Sequence, residues 1–152
     1  MMFRSILALA IAGATPALAE IDGSDVAAII SVFQQEGYMV TQTTDSEGDP
    51  LLQGKIEGTP YSVYFYGCDD AHANCSAVQF KAGYDMQMGL SDYQVNTWNK
   101  EKRFGKVFLD DEKDPFLELD VNLLHGVSEG NFADTIDWWR VVMSEFEKYI
   151  NW

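Results

Sequence analysis

Apolar residues recur along this chain with two periods, and each switch between them marks a change of element. Val26, Ile29, Ile30 and Phe33 are spaced by threes and fours, so they share one helix face; Ser24 stands at the cap position and Gly37 at the stop. Residues 38–43 then read as a strand, DSEGDP as a turn, residues 51–57 as a second strand and residues 58–60 as the next turn. Alternation governs residues 61–81, interrupted by GCDDAHANC. A helix follows with a complete start signal, in which Ser91 is the cap, Gln94 closes a capping box and Leu90 with Val95 forms a hydrophobic staple. It should run to about Lys102. FGKVFLD and FLELDVN form a second hairpin about residues 111–115, with Val107 and Leu109 set against Leu119 and Leu117, and Lys106 and Phe108 against Asp120 and Glu118 on the opposite face. From near Asn131, Phe132, Ile136, Trp139, Met143, Phe146 and Ile150 draw one apolar stripe along a last helix. Trp138, Val142 and Tyr149 draw a second strip about 100° around it. The pattern predicts one α+β domain over residues 20–152, in the order helix, four strands, helix, two strands, helix, with helices packed on an antiparallel sheet.

The first nineteen residues follow a different logic. Arg4 gives a positive start, residues 6–14 an apolar run too short to span a bilayer, and Ala17-Leu18-Ala19 a small-residue cleavage site, so a secretory signal peptide over residues 1–19, cleaved after Ala19, is expected. Export places the protein in the periplasm or outside the cell, where its two cysteines, Cys68 and Cys75, meet oxidising conditions. Setting Cys68 opposite Cys75 in a hairpin also pairs Phe65 with Val78 and Val63 with Phe80 on one face. Tyr66, Tyr64 and Ser62 then meet Ala77, Gln79 and Lys81 on the other, as a period of two requires. A disulfide staple satisfies that register; closing so short a loop contributes roughly 2.5 kcal/mol by chain entropy. The spacing is not Cys-x-x-Cys, and the loop between the thiols carries only Asp69, Asp70 and His72 as further metal donors.

The formal net charge is −14, and loss of the leader would remove only the positive Arg4. Such a surface repels nucleic acid and anionic membranes, so neither is an expected partner, and no membrane insertion is expected once the leader is gone. Chemistry is sparse. No G-x-S-x-G, H-E-x-x-H or Gly-rich phosphate loop occurs, so neither a catalytic residue nor a cofactor is expected. His125 with Ser128 and an aspartate, or a pair of the many carboxylates, would be needed for the alternative of a small periplasmic hydrolase. The clusters Asp45, Glu47, Asp49 and Asp110, Asp111, Glu112, Asp114 lack the Gly and Glu placement of an EF-hand and suit solvated turns better than calcium or another metal.

The candidate binding surface lies elsewhere. Asn96 and Asn99 fall one helical turn apart with Arg103 a turn further, and amides inside a helix suggest side chains bonded to something: either adjacent loops or a ligand. Phe108 and Phe116 on the mixed face of the second hairpin, and Trp138 on the second strip of the last helix, add large aromatics that would mean contact with a protein, a peptide or a second copy of the chain if exposed.

YSVYFYGC with its paired Cys75, VQFKAGY, the N-x-W-N of Asn96, Trp98 and Asn99, RFGKVFLD, PFLELDVNL and the aromatic last helix, in that order, resemble the YbjN-domain family of bacterial sensory transduction regulators. The resemblance implies a fold like that of type III secretion chaperones, often dimeric, and a non-catalytic sensory, regulatory or chaperone-like role. Those chaperones work in the cytoplasm, whereas this chain begins with an export signal. The expectation is therefore an exported, non-catalytic binding module for a protein or peptide.

Overall fold

The computed structural model describes residues 20–152; the expected signal peptide lies outside the described residues. Its elements are β1 (Glu20–Ile21), α1 (Val26–Gln35), β2 (Val40–Thr44), β3 (Pro50–Ile56), β4 (Thr59–Tyr66), β5 (Ala77–Gly83), α2 (Asp92–Glu101), β6 (Lys106–Leu109), β7 (Pro115–Asn122), β8 (Val127–Ser128) and α3 (Glu129–Ile150). The six longer strands form one antiparallel sheet in the order β2-β3-β4-β5-β7-β6, and the two-residue β1 and β8, which carry no readable alternation, pair with each other. This is the expected α+β order with that small ribbon added.

The cysteine hairpin adopts the register derived from the sequence: Phe65 lies opposite Val78, Val63 opposite Phe80, and Cys68 is bonded to Cys75. Capping at α2 also follows the sequence, with the Ser91 hydroxyl accepting from the Gln94 N–H and the Gln94 side chain reaching back to Ser91. At α1 the cap is Asp25, which accepts from the Ala28 N–H at 3.0 Å; Ser24 is instead drawn back to Asp22, which takes both its N–H and its hydroxyl. The turn expected at residues 58–60 is shorter. Glu57 and Gly58, both with positive φ, make a two-residue turn, and Pro60 joins β4 opposite Lys55.

In the second hairpin Val107 faces Leu117, Leu109 faces Pro115, Phe108 faces Phe116 and Lys106 faces Glu118, two residues from the expected register with every side chain on its expected face. The turn sets this. Asp110 and Asp114 are its closing pair, Lys113 adopts φ 68, and the Asp110 carboxylate accepts from the Glu112 and Asp114 N–H groups. DSEGDP closes the same way: Asp45 accepts from the N–H groups of Glu47, Gly48 and Asp49, with Gly48 in the left-handed position.

One face of the sheet carries the core. Phe80 stands 5.9 Å from Phe33 of α1 and 5.6 Å from Trp139 of α3, and Phe33 meets Phe132 edge-on. Trp98 anchors α2 against Phe146 at 4.9 Å, and Tyr149 of α3 donates to the Gln94 carbonyl. Every large apolar residue of the α3 stripe is buried, which is where the periodicity of that helix goes.

Candidate functional site: the open sheet face

The residues between the core-facing positions point to the other face, where no helix packs on the described strands. Across it runs the row Thr41, Gln53, Ser62, Lys81, Glu118, Lys106, in which each residue is registered opposite the next. Lys81 pairs with Glu118 at 3.1 Å, and its ammonium sits over two rings, 4.8 Å from the centroid of Phe108 and 5.1 Å from that of Phe116. Those rings stack on each other at 5.3 Å. A neighbouring row carries Tyr64, Gln79 and Asp120; Gln79 donates to Asp120 at 2.8 Å, and Tyr64 stacks on Tyr66. Burial, and then the nearby Glu118 carboxylate, raise the Tyr66 phenol above its usual range, so it stays a neutral donor. The face is a mosaic of aromatic planes and paired charges.

A groove opens where the sheet parts. The β4–β5 ladder ends at Ser62 and Lys81, whereas β3–β4 continues to Ile56 and Thr59 and β5–β7 to Gly83 and Phe116. Pro60, which could not donate to a continued ladder, and Gly83, whose Cβ would lie 2.6 Å from the Phe116 ring, flank the opening. The resulting groove of about 870 Å³ is lined also by Tyr38, Met39 and Thr41 near the sheet edge, and by Gln53, Tyr64 and Lys81. At its base lies Tyr61, 3% exposed, whose phenol burial pushes well above the ordinary range.

The sequence-nominated surface residues divide among three places. Phe108, 40% exposed, and the half-buried Phe116 lie on the open face. Trp138, 41% exposed, lies on α3 beside Phe104 at 4.8 Å, away from that face. Trp98 is 1% exposed and its Nε1 donates to the Gly105 carbonyl, so it is a core residue. Asn99 donates to the Val107 carbonyl at 3.0 Å and accepts from the Val107 N–H at 2.9 Å, bonding to the adjacent strand. Asn96 is exposed beside Leu109 in a small cleft of about 420 Å³. Arg103 does not share their helix face: Lys102 is already extended, ending α2, and Arg103 is exposed beyond it. The groove and the Lys81 platform had one partial signal in the sequence, the mixed face of the two hairpins.

Other candidate chemistry is occupied by structure. Ser128 caps α3 by accepting from the Asn131 N–H, and His125 is exposed in the preceding turn with φ 68. The two carboxyls with clear shifts are both lowered, Asp22 chiefly by the Ser24 hydroxyl and Asp69 chiefly by the Asn74 amide, whereas a general acid needs a raised one. His72 reaches from the disulfide loop to Asp49 at 2.7 Å, locking that loop onto the β2–β3 turn. Among the described residues no three His, Cys, Asp or Glu side chains are arranged to hold a metal, and no helix is long and apolar enough to cross a membrane.

Residues 25–152 match the family model described as YbjN, "Putative bacterial sensory transduction regulator". No curated protein matches the chain.

Proposed function

This chain belongs to the YbjN family, and from that premise we propose that it is an exported, non-catalytic binding module that holds a protein or peptide segment on its open sheet face. The observation that carries the reading is the uncovered face itself, with the Lys81–Phe108–Phe116 platform beside a groove of about 870 Å³. Aromatic planes give contact area at low entropic cost, and the paired charges fix orientation. Export is supported by the leader-like residues 1–19 and by a disulfide that an oxidising compartment would keep.

A peptide array probed with protein recovered from an export-competent host tests both parts. We expect a mass beginning at Glu20, and array binders lost in Phe108→Ala and Tyr64→Ala but retained in Trp138→Ala. An array without binders, or binders that respond only to Trp138→Ala, would overturn the assignment to this face.

A further inference from the structure

The two edges of the sheet are treated differently. In an antiparallel ladder alternate residues turn both backbone groups toward the neighbour, and the residues between turn theirs away. At the β6 edge, Asp110 donates to Asp114, which makes Val107 an outward-facing residue, and both its groups are taken by the Asn99 side chain. The Gly105 carbonyl, two residues earlier, is taken by Trp98. Helix α2 has closed that edge at Gly105 and Val107, leaving Leu109, beside the Asn96 cleft, as the one outward residue of β6 with no backbone partner among the described residues.

The same counting at the other edge starts from Asp45, which donates to Asp49. Thr43 and Thr41 therefore bond to β3, while Val40, Gln42 and Thr44 turn N–H and C=O outward. No hydrogen bond reaches them among the described residues. β2 reads VTQTT, with no lysine, no proline and no bulge, none of the devices that usually blunt a free edge. Acidic residues stand at both ends: Asp45, Glu47 and Asp49 in the following turn, and Glu36 with Glu57 near Tyr38, where Lys55 is the neighbouring cation of the sheet and Arg140 of α3 is paired with Asp137.

We propose that the β2 edge is a strand-addition site, taking an extended segment of another polypeptide antiparallel to Val40, Gln42 and Thr44, with basic side chains flanking an uncharged centre. The inference rests on the peptide-binding reading above for the class of ligand, and adds a place for it distinct from the aromatic platform: the β2 edge, beside the part of the groove lined by Tyr38, Met39 and Thr41. Main-chain hydrogen bonds would supply the affinity and the flanking charges the selectivity. A second copy is the weaker fit, because antiparallel pairing about Gln42 lays the acidic turn of one chain over the Glu36 and Glu57 end of the other.

Amide exchange followed by NMR tests this in the intact disulfide-bonded chain. In the free protein, Val40, Gln42 and Thr44 should exchange freely while Thr41 and Thr43 are protected. A capped peptide of alternating threonine and valine with an arginine at each end should slow those three amides by about tenfold at saturation. Its glutamate-ended twin should bind about tenfold more weakly. Gln42→Pro removes only an outward N–H and should abolish the protection while the remaining spectrum persists. If the arginine peptide shifts Tyr64, Phe108 and Phe116 but leaves the three amides unprotected, the edge assignment fails and the open-face reading stands. Protection that grows with protein concentration alone would assign the edge to a second copy and overturn the proposal. Absence of any peptide effect would overturn it too, leaving the open face to be judged by the array.

Discussion

Replacing Asn99 by alanine isolates one device in this fold. The side chain makes two bonds to Val107, at 3.0 and 2.9 Å, and in doing so occupies the outer edge of β6 as a strand would. Each such bond contributes about 1 kcal/mol net, and stranding a buried partner costs about 1–3 kcal/mol more. Val107 itself is buried, but the bonds lie at the rim of the sheet where water can partly replace the amide. We therefore expect Asn99→Ala to cost about 2 kcal/mol, lowering the melting temperature by roughly 8 °C for a domain of this size. Asn99→Asp should be at least as damaging, since it keeps the acceptor for the Val107 N–H but sets a carboxylate against the Val107 carbonyl. Urea denaturation gives the loss as a shifted midpoint at unchanged slope, and amide exchange should show Val107 released before its neighbours. An unchanged midpoint with Val107 still protected would mean that β7 alone holds β6, and the account of the closed edge would be wrong.

Substituting both cysteines of the Cys68–Cys75 bond by serine should cost about 2.5 kcal/mol by loop entropy, read as a urea midpoint below that of the disulfide-bonded chain under non-reducing conditions; equal midpoints would refute the staple. Burial raises the Tyr61 and Tyr84 phenols above their unfolded value near 10, so their contribution is complete below about pH 10 and is lost as pH rises beyond it, where the unfolded chain releases protons first. The double variant Tyr61→Phe with Tyr84→Phe should flatten the alkaline limb of the stability curve, and an unaltered limb would contradict this. Gly105 has φ 74, and a Cβ there would lie 2.2 Å from Val142 Cγ1. Gly105→Ala should therefore cost more than about 2 kcal/mol, measured by thermal melting; a cost of a few tenths would show that the loop moves freely away from α3.

What the sequence made legible was whatever a local rule constrains. The cysteine hairpin was readable because one covalent pairing and a period of two leave a single register for Phe65, Val63 and their partners. The second hairpin had the parity but no pin, and parity alone cannot separate registers that differ by two; the Asx geometry of residues 110–114 decides it. Asn99 announced that its amide bonds to something, while the identity of Val107 depends on how α2 lies against β6. Trp98 stood in the polar run NTWNK, and only the arrival of Phe146 from α3 makes it core. The mixed faces of the hairpins hinted at a surface, but the groove's position on it was not legible, because it arises from three ladders ending at different places.

The charge distribution then bears on how the open face would be used. A net charge of −14 alone suggests a uniformly repelling surface, but two cations on this face are matched in place, Lys81 with Glu118 and Lys106 with Asp120 at 3.8 Å. Much of the remaining acid sits around the rim, in the turns at residues 45–49 and 110–114 and along the exposed helix faces. A basic segment would be drawn in by the rim at long range, and would then meet stacked rings and neutral hydroxyls that need no counter-charge. Steering and holding are thus assigned to different residues. High salt should slow association with little effect on release, whereas Phe108→Ala should speed release and leave the salt dependence of association unchanged. Stopped-flow binding of an array-selected peptide at several ionic strengths separates the two, and a salt effect confined to release would show that the rim acids hold the segment rather than attract it.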